Sequence, residues 1–316
     1  MCQKLISIII PCYRSEKTLS KVVDEIRSEF SKQDEYDYQI ILSNDGSPDD
    51  TFGAIQKICE EDHKIIGINL SRNFGQVSAK MSALNYADGE VTIFMDDDGQ
   101  HPASGIFPIA KKIEEGFDLV YAHFSHKKHN LFKRFTSRLA GNIGVAIGSS
   151  VKGIHKSSFI GWSRFALEAL RDYHSPFPAS GSYLLNLTTK VANVEIEHRD
   201  RLEGKSNYTL KKMIILWLNF FTSFSVVPLR FASFSGAICA ISGFLFGIFT
   251  IIRKLILPQI SAGYTSTISI IMFVGGIIMM MLGLIGEYIG RIYMTVSDLP
   301  QYKIRDIINC EKRDNK

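Results

Sequence analysis

The sequence predicts an α/β fold with a doubly wound, mostly parallel sheet, followed by an interfacial helix and two transmembrane helices. Over residues 6–95, short apolar runs alternate with helical patterns, as in parallel sheets covered by helices on both faces. Further on, Phe231–Ile252 and Leu255–Gly286 contain no charged residue. Each of these two runs is long enough to cross a hydrocarbon core of about 30 Å. A pair of buried core helices is the alternative interpretation.

The strands and helices of the sheet domain follow in order. Four short, continuous apolar runs predict buried strands; they are Ile6–Pro11, Gln39–Leu42, Ile65–Leu70 and Val91–Met95. Between them, apolar residues recur at helical spacing. The helices predicted from this spacing extend over Leu19–Phe30, Phe52–Cys59 and Gln76–Ala87.

The segment Ser47-Pro48-Asp49-Asp50 predicts the start of the second helix. Ser47 can cap the helix, Pro48 fits the first helical position, and Asp50 is the acid of a capping box. The preceding turn, Asn44–Gly46, therefore ends the second strand. We expect this turn at the same sheet edge as the end of the fourth strand.

Three consecutive carboxylates, Asp96–Asp98, follow the fourth strand directly. The carboxyl ends of the strands are where open α/β sheets bind ligands. Asp96, Asp98 and the Gln100 carbonyl are hard oxygen ligands suited to Mg²⁺ or Mn²⁺. An ion held there could neutralise a diphosphate leaving group. A capped surface turn is the plainer alternative.

Composition excludes some functional classes. The net charge of +4 is too small to indicate a nucleic-acid partner. The five cysteines form no C-x-x-C pair, so we expect reduced thiols facing a cytoplasm. The apolar run after Met1–Lys4 is too short for a signal peptide.

Lysine and arginine flank the two uncharged runs on their outer sides, and only Arg253 and Lys254 lie between the runs. This bias places both termini in the cytoplasm. The segment before the first run is apolar but begins with Lys211 and Lys212, which is typical of an interfacial helix. We therefore expect a cytoplasmic domain over 1–209, an interfacial amphipathic segment over 210–229, transmembrane helices at 231–253 and 267–289 within 230–293, and a cytoplasmic tail over 294–316.

Six motifs in this order resemble the membrane-bound polyprenyl-phosphate glycosyltransferases of the inverting GT-A superfamily, glycosyltransferase family 2. The motifs are Ile9–Tyr13, Asn44–Ser47, Ser71–Gly75, Asp96–Pro102, Arg201–Tyr208 and Gly286–Tyr293. Dolichol-phosphate mannose synthases and bacterial undecaprenyl-phosphate sugar transferases belong to this group. The resemblance implies a GT-A (Rossmann-like) catalytic domain in a multi-pass protein of the inner membrane, forming homo-oligomers that are often tetramers.

The resemblance also implies roles for single residues. Pro11, Tyr13, Glu16, Asp45 and Asp97 would bind the nucleotide-sugar, although an ordinary loop and helix cap also explain Tyr13 and Glu16. Asp96 and Asp98 would be catalytic and would hold the Mg²⁺ or Mn²⁺ ion together with Gln100.

The acceptor side depends on Arg201 and Ser206. A phosphate monoester has its second pKa near ~6, so it is already an oxyanion nucleophile at neutral pH. A guanidinium grips phosphate through two parallel hydrogen bonds, and a hydroxyl can donate a third. Arg201 and Ser206 therefore fit binding of the acceptor phosphate, with Arg201 also catalytic. A surface salt bridge is the alternative for Arg201.

Three departures from the family pattern stand out. The family has leucine where this chain has Gly99, and a small residue where it has Asp97. Where the family has arginines, the segment His123–His129 contains three histidines. We interpret this segment as a cationic loop near lipid headgroups rather than as a metal site. Glu287 and Arg291 are expected to form an ion pair on the surface of a helix.

We expect inverting transfer of a sugar from a UDP-linked donor to a polyprenyl phosphate, for a cell-surface glycan or a lipid modification. Two alternatives remain open. The acceptor could be a hydroxyl of a lipid-linked saccharide or polymer, in which case Asp97 or Glu195 would be the general base. The chain could also be a non-catalytic subunit that binds a nucleotide-sugar.

Overall fold

A computed structural model describes residues 3–124, 151, 153–173, 175–176, 180–196, 227–256, 263–297 and 299–310. The chain divides into two compact units. The first comprises Met1–Asn207 with Pro300–Lys316, and the second comprises Tyr208–Leu299. The expected interfacial segment before residue 227 and the acceptor residues Arg201 and Ser206 lie outside the described residues.

The first unit is built on a sheet that has eight strands within the described residues. The strands are β1 Lys4–Cys12, β2 Tyr36–Asn44, β3 Ile65–Leu70, β4 Val91–Phe94, β5 Leu119–Phe124, β6 Ile160–Ser163, β7 Val191–Ile196 and β8 Ile304–Ile308. Their order across the sheet is β7-β5-β6-β4-β1-β2-β3-β8.

The sheet is mixed rather than mostly parallel. Its centre is parallel, with β1 between β2 and β4 and with β3 beside β2. The strand β6 runs antiparallel to both β4 and β5, β8 runs antiparallel to β3, and β7 is parallel to β5. The parallel centre brings the carboxyl ends of β1–β4 to one edge.

Helices cover both faces of the sheet. The helices of the first unit are α1 Leu19–Phe30, α2 Thr51–Glu61, α3 Gln76–Leu84, α4 Ile106–Glu114, α5 Arg164–Arg171 and α6 Ser180–Leu187, with a 3-10 turn at Ala103–Gly105. Alternate residues of β1 belong to different clusters of buried side chains. Ile8 lies in the cluster with Leu19 and Val22 of α1, whereas Ile9 lies in the cluster with Met81 of α3. Burial on both faces explains why β1 is a continuous apolar run.

The four predicted strands are confirmed, and β1 and β2 extend beyond their predicted bounds. The predicted start of the second helix at Ser47 is wrong, since α2 begins at Thr51 and Asp50 makes no side-chain capping hydrogen bond. The Ser47 hydroxyl instead accepts a hydrogen bond from the backbone N–H of Arg14 at 3.2 Å. The hydroxyl therefore binds the loop after β1 rather than the start of α2. The third helix ends at Leu84 rather than at Ala87.

Strand β8, which the sequence patterns did not predict, covers the edge of β3. The backbone N–H of Ser71 donates to the Lys303 carbonyl at 2.8 Å. The side-chain amide of Asn309 donates to the carbonyls of Cys59 and Ile65 at 2.6 and 3.0 Å. These contacts remove an exposed sheet edge and make the end of the chain part of the first unit.

The second unit contains α7 Val227–Ile256 and α8 Tyr264–Val296. Within the described residues, one segment passes a test of length and composition for crossing a membrane: Phe273–Val296, with a mean hydropathy of 1.8. It overlaps the span predicted at 267–289. The predicted ion pair is confirmed, with 2.7 Å between the Arg291 guanidinium and Glu287 Oε1.

Candidate active site

Loops that follow β1, β2, β3 and β4 meet at one edge of the sheet. Asp45, at the end of β2, is buried, and its carboxylate joins two of these loops. The backbone N–H groups of Phe74 and Gly75 donate to its two oxygens at 2.7 and 2.9 Å. Burial raises the pKa of Asp45, and the two N–H groups partly offset that rise.

The approach of these two loops also requires glycine at position 46. Gly46 has a φ of +59°, and a Cβ there would lie 2.4 Å from the carbonyl carbon of Arg72. Glycine therefore allows the backbone of Asn44–Gly46 to approach the loop after β3. The structure gives Asp45 contacts to backbone, and its predicted contact with a nucleoside stays a prediction.

The second member of the acid triplet, Asp97, holds the loop after β1. Its Oδ2 accepts a hydrogen bond from the backbone N–H of Tyr13 at 3.1 Å and another from the Ser15 hydroxyl. The Ser15 N–H in turn donates to Thr51 Oγ1 at 2.9 Å. Burial raises the pKa of Asp97, although these hydrogen bonds oppose the rise. The loop therefore holds a defined position beside the triplet, with the Tyr13 side chain 44% exposed.

The first member, Asp96, is surrounded by donors and cations. Gln76 Nε2 donates to its Oδ1 at 2.8 Å, and the Ser158 hydroxyl donates to its Oδ2 at 2.6 Å. Lys80 Nζ lies 3.9 Å from Oδ1. Burial alone would raise the pKa of Asp96, but the nearby Lys80 charge and the two hydrogen bonds outweigh it, so the pKa falls below its ordinary value.

His101 lies beside Asp96 and accepts a hydrogen bond from its backbone. Its ring is buried and stacks on Phe159, with ring centroids 4.9 Å apart. The backbone N–H of Asp96 donates to Nδ1 at 3.0 Å. An accepting Nδ1 assigns the ring proton to Nε2 in the neutral imidazole, and this nitrogen lies 3.3 Å from the Ser158 hydroxyl. His101 and Ser158 therefore help to fix the backbone and the side chain of Asp96.

The third member, Asp98, begins a tight turn. The backbone N–H of Gln100 donates to Asp98 Oδ1 at 3.1 Å, and Gly99 has a φ of +73°. Within the described ranges, no group of three histidine, cysteine or acidic residues is arranged to hold a metal ion. A divalent cation at Asp98 would therefore need further oxygens from a ligand. Mg²⁺ is commonly bound in this way, by one or two carboxylates plus substrate phosphates, so the site fits such an ion.

The structure brings most of the predicted donor-site residues together. Tyr13, Asp45 and Asp96–Asp98 lie at the carboxyl edge, while Pro11 is a buried residue within β1 and Glu16 is exposed before α1. His123 belongs to β5 and stacks on His155 with ring centroids 4.3 Å apart, and residues 125–129 of the predicted histidine loop lie outside the described residues. Sequence reasoning assigned no role to four residues around Asp96; these are Gln76, Lys80, His101 and Ser158.

Comparison with known proteins identifies the family. Residues 7–173, over half of the chain, match the family described as Glycosyl transferase family 2. The chain belongs to glycosyltransferase family 2. Residues 227–292 also match the GtrB C-terminal hairpin, so the similarity extends into the second unit.

Relatives of this family 2 enzyme match almost its whole length. The undecaprenyl-phosphate 4-deoxy-4-formamido-L-arabinose transferase of Proteus mirabilis is 32% identical over 313 residues, which cover 97% of this chain and 95% of that protein. The protein of the same name from Yersinia enterocolitica is 31% identical over 317 residues, with coverages of 99% and 96%.

A solved structure shows the same fold. Glucosyl-3-phosphoglycerate synthase from Mycobacterium tuberculosis, crystallised with Mn²⁺ and UDP-glucose, aligns with a TM-score of 0.50 and 18% sequence identity. The alignment covers 70% of this chain and 77% of that one. The first unit therefore has the α/β GT-A fold predicted from the sequence, with a mixed sheet.

Proposed function

We propose that this family 2 glycosyltransferase moves a sugar from a nucleotide-sugar to a polyprenyl phosphate, with inversion at the anomeric carbon. The acid triplet at the carboxyl end of β4, bonded through Asp97 to the loop after β1, is the observation that carries the proposal. This edge is where open α/β sheets bind ligands. The near full-length similarity to undecaprenyl-phosphate sugar transferases supports the choice of a lipid phosphate acceptor.

The donor would lie between the loop after β1 and the acid triplet. The exposed Tyr13 ring, with the Arg14 guanidinium carbon 5.5 Å from its centroid, offers a face for a nucleobase. Pro11 and Glu16 flank this loop, and Asp97 holds it through the Tyr13 N–H. We propose a UDP-linked sugar as the donor.

The diphosphate of the donor would lie against the acid triplet, and Asp96, Asp98 and Gln100 would hold a Mg²⁺ or Mn²⁺ ion together with diphosphate oxygens. When bound, the ion supplies Lewis acidity that stabilises the leaving diphosphate. Asp98 keeps its position through the turn closed by the Gln100 N–H. Gln76 and Ser158 hold the Asp96 carboxylate in position through hydrogen bonds to its two oxygens.

The acceptor phosphate needs positioning rather than deprotonation. Its second pKa is near ~6, so at neutral pH it can attack the anomeric carbon without a general base. The chain would then have to hold two anionic groups in line and screen their charges. Arg201 and Ser206 are proposed to bind this phosphate.

Membrane attachment would bring the lipid phosphate to the enzyme. We propose that helices over 231–253 and 267–289 cross the inner membrane, that 210–229 lies at its interface, and that the catalytic domain is cytoplasmic. The apolar segment Phe273–Val296 supports the second of these spans. We also propose that the enzyme forms a homo-oligomer, such as a tetramer.

A transfer assay with the full-length enzyme in nanodiscs tests this function. Radiolabelled UDP-, GDP- and dTDP-sugars would be offered with and without undecaprenyl phosphate. We expect label in the lipid only when undecaprenyl phosphate is present, and reversible loss of transfer on adding EDTA. Asp98→Asn should slow transfer by at least about a hundredfold, equivalent to about 2.7 kcal/mol of transition-state stabilisation.

The matched control is Asp37→Asn. Asp37 also lies on β2 of the sheet domain, but at its amino end, where it pairs with Lys64 at 2.6 Å. We expect its transfer rate to stay within about twofold of the wild type, since exposed ion pairs contribute little. Transfer that needs no lipid phosphate, or no transfer from any donor, would overturn the proposed function.

A further inference from the structure

A row of polar side chains crosses the sheet at the edge that holds the candidate site. This polar row consists of Asn44, the last residue of β2, Asn69 of β3 and Asp306 of β8. The register places Asn44 opposite Asn69, and Asn69 opposite Asp306. Directly opposite residues in a sheet have their side chains on the same face, within reach of each other. The polar row therefore extends from β8, near the end of the chain, to the turn after β2.

Hydrogen bonds give the polar row a direction. Asn44 Nδ2 donates to Asn69 Oδ1 at 2.9 Å, and Asn69 Nδ2 donates to Asp306 Oδ2 at 2.9 Å. An ionised carboxylate only accepts hydrogen bonds, so Asp306 requires Asn69 to turn its NH₂ group toward β8. Asn69 then offers its oxygen to β2, and Asn44 must offer its NH₂ group in return. The charge on Asp306 thus sets the orientation of both amides.

The oriented Asn44 amide connects the polar row to the loop after β1. Asn44 Oδ1 accepts a hydrogen bond from the backbone N–H of Ser47 at 3.2 Å, and the Ser47 hydroxyl accepts one from the backbone N–H of Arg14 at 3.2 Å. Arg14 has a φ of +60°, a left-handed conformation that is unfavourable for a residue with a side chain. The hydrogen bond to Ser47 stabilises this conformation beside Tyr13, whose exposed ring is the proposed contact for the nucleobase.

We propose that Asp306 is a positioning residue for the donor site, which acts through Asn69 and Asn44 to hold the loop after β1 in its nucleotide-binding conformation. This inference deepens the proposed function and rests on it for the location of the nucleotide. Asn44 is only 3% exposed, so an Asn44 amide that loses its partner is shielded from water and unfavourable. The turn after β2 would relax to satisfy this amide, and the strained Arg14 backbone would lose its support.

Nucleotide binding tests the polar row without any turnover. The probe is whichever of UDP, GDP or dTDP binds the wild type most tightly, titrated calorimetrically with Mn²⁺ present against the full-length enzyme in nanodiscs. We expect Asn69→Ala to raise the Kd of the nucleotide by about tenfold, a change of about 1.4 kcal/mol. Asp306→Ala should raise the Kd by at least about threefold, and Asp306→Asn should raise it less, because an amide oxygen can also accept the hydrogen bond.

An exchange of the two polar groups separates the hydrogen bond from packing. Asn69→Asp alone places two carboxylates opposite each other, which is unfavourable, and should raise the Kd by about tenfold or more. Adding Asp306→Asn supplies an NH₂ group on β8, so the double variant should bind the nucleotide within about threefold of the wild type. Such recovery indicates a direct interaction between the two side chains. If the double variant binds no better than Asn69→Asp, the inference is wrong.

Asn309→Gly is the matched control for the stability of β8. Asn309 has a φ of +58°, which glycine adopts without strain, and the substitution removes the amide that donates to the Cys59 and Ile65 carbonyls. We expect this variant to unfold at a lower denaturant concentration but to keep its Kd within about twofold of the wild type. An equal loss of binding in Asn309→Gly and Asn69→Ala would overturn the inference. Normal nucleotide binding by the wild type without transfer to the lipid would instead contradict the proposed function, so the two failures are distinguishable.

Discussion

Asp45 and Gly75 lie on loops after neighbouring strands, and the Gly75 N–H donates a hydrogen bond to Asp45 Oδ2 at 2.9 Å. Gly75 has a φ of +96°, a backbone conformation in which glycine has no steric penalty. It also precedes Gln76, the first residue of α3, which donates to Asp96. The hydrogen bonds from Phe74 and Gly75 to Asp45 thus help to position the helix that supports the acid triplet.

Substitution of Gly75 by alanine tests this link. Gly75 and Gly116 have similar φ values of +96° and +101°, and at neither position would a Cβ meet another atom within 4 Å. We expect Gly75→Ala and Gly116→Ala each to lower the free energy of unfolding by about 1–2 kcal/mol. Gly75→Ala should in addition slow sugar transfer by about tenfold or more, because it displaces Gln76 and Asp96. Denaturant unfolding and transfer rates in detergent check this, and equal activities of the two variants would contradict it.

Asp97→Asn and Ser15→Ala distinguish a positioning role of Asp97 from general-base catalysis. Both variants weaken the hydrogen bonds that hold the loop after β1. We expect each to raise the KM for the nucleotide-sugar by about tenfold with a small change in kcat, since a hydrogen bond to a charged group contributes about 1.5–3 kcal/mol. Steady-state kinetics with varied donor provide the measurement.

A general base for a hydroxyl acceptor gives a different pattern. Asp97→Asn, or Glu195→Gln for the other candidate, would then lower kcat by about 10²–10⁴ without affecting the donor KM. Ser15→Ala would leave kcat unchanged. That result would favour the alternative in which the acceptor is a hydroxyl of a lipid-linked saccharide.

Arg201→Ala should impair use of the lipid acceptor. A charge-assisted hydrogen bond to phosphate contributes about 1.5–3 kcal/mol, so the KM for polyprenyl phosphate should rise roughly tenfold to a hundredfold. Arg201→Lys should restore only part of this, because lysine keeps the charge but loses the planar fork. Arg164→Ala is the control, since Arg164 is an exposed arginine paired with Glu168. Loss of nucleotide binding in Arg201→Ala, with an unchanged KM for the lipid, would assign Arg201 to the diphosphate instead.

Asp62 predicts a pH dependence of stability. Burial opposes its ionised form, but hydrogen bonds from the Tyr38 hydroxyl at 2.7 Å and the Lys64 N–H at 2.9 Å, together with the Arg27 charge, lower its pKa below 3.8. A folded-state pKa below the unfolded value stabilises the fold at neutral pH, and this stabilisation is lost as the pH falls from about 3.8 through the folded pKa.

We therefore expect Asp62→Asn to lower the free energy of unfolding by about 1.5–3 kcal/mol at pH 7, with the difference from the wild type disappearing in acid. Denaturant unfolding at several pH values gives the measurement. Asp24→Asn, whose side chain is 68% exposed beside the same Arg27, should change stability by less than about 0.5 kcal/mol. A constant difference between the wild type and Asp62→Asn down to pH values below the folded pKa would contradict the assignment.

The parallel centre of the fold was predictable because its strands are buried on both faces. Continuous apolar runs such as Ile65–Leu70 report that burial directly. The strand β8 was not predictable in this way, because it is short, half-exposed and paired with β3 across a large separation in sequence. Its position depends on tertiary contacts such as those of Asn309, which no local pattern encodes.

The candidate site, like the fold, was predictable where its residues follow buried strands. Asp45 and Asp96–Asp98 were predicted as site residues because they follow apolar strands, and the structure places them at the same edge of the sheet. Lys80 was not identified, because a lysine within a helical pattern is usually solvent-exposed. Ser47 was predicted to be a helix cap because the sequence does not reveal that the backbone N–H of Arg14 donates to the Ser47 hydroxyl.

The bond formed on the lipid phosphate tests the proposed reaction most directly. The purified lipid product would be analysed by phosphorus NMR and mass spectrometry after reaction with undecaprenyl phosphate and the preferred nucleotide-sugar. We expect the phosphate monoester to become a sugar phosphodiester that is labile to mild acid, with the anomeric configuration opposite to that of the donor. One nucleoside diphosphate should be released for each sugar transferred. A product in which the sugar is attached to a hydroxyl and the phosphate is unchanged would contradict the proposal.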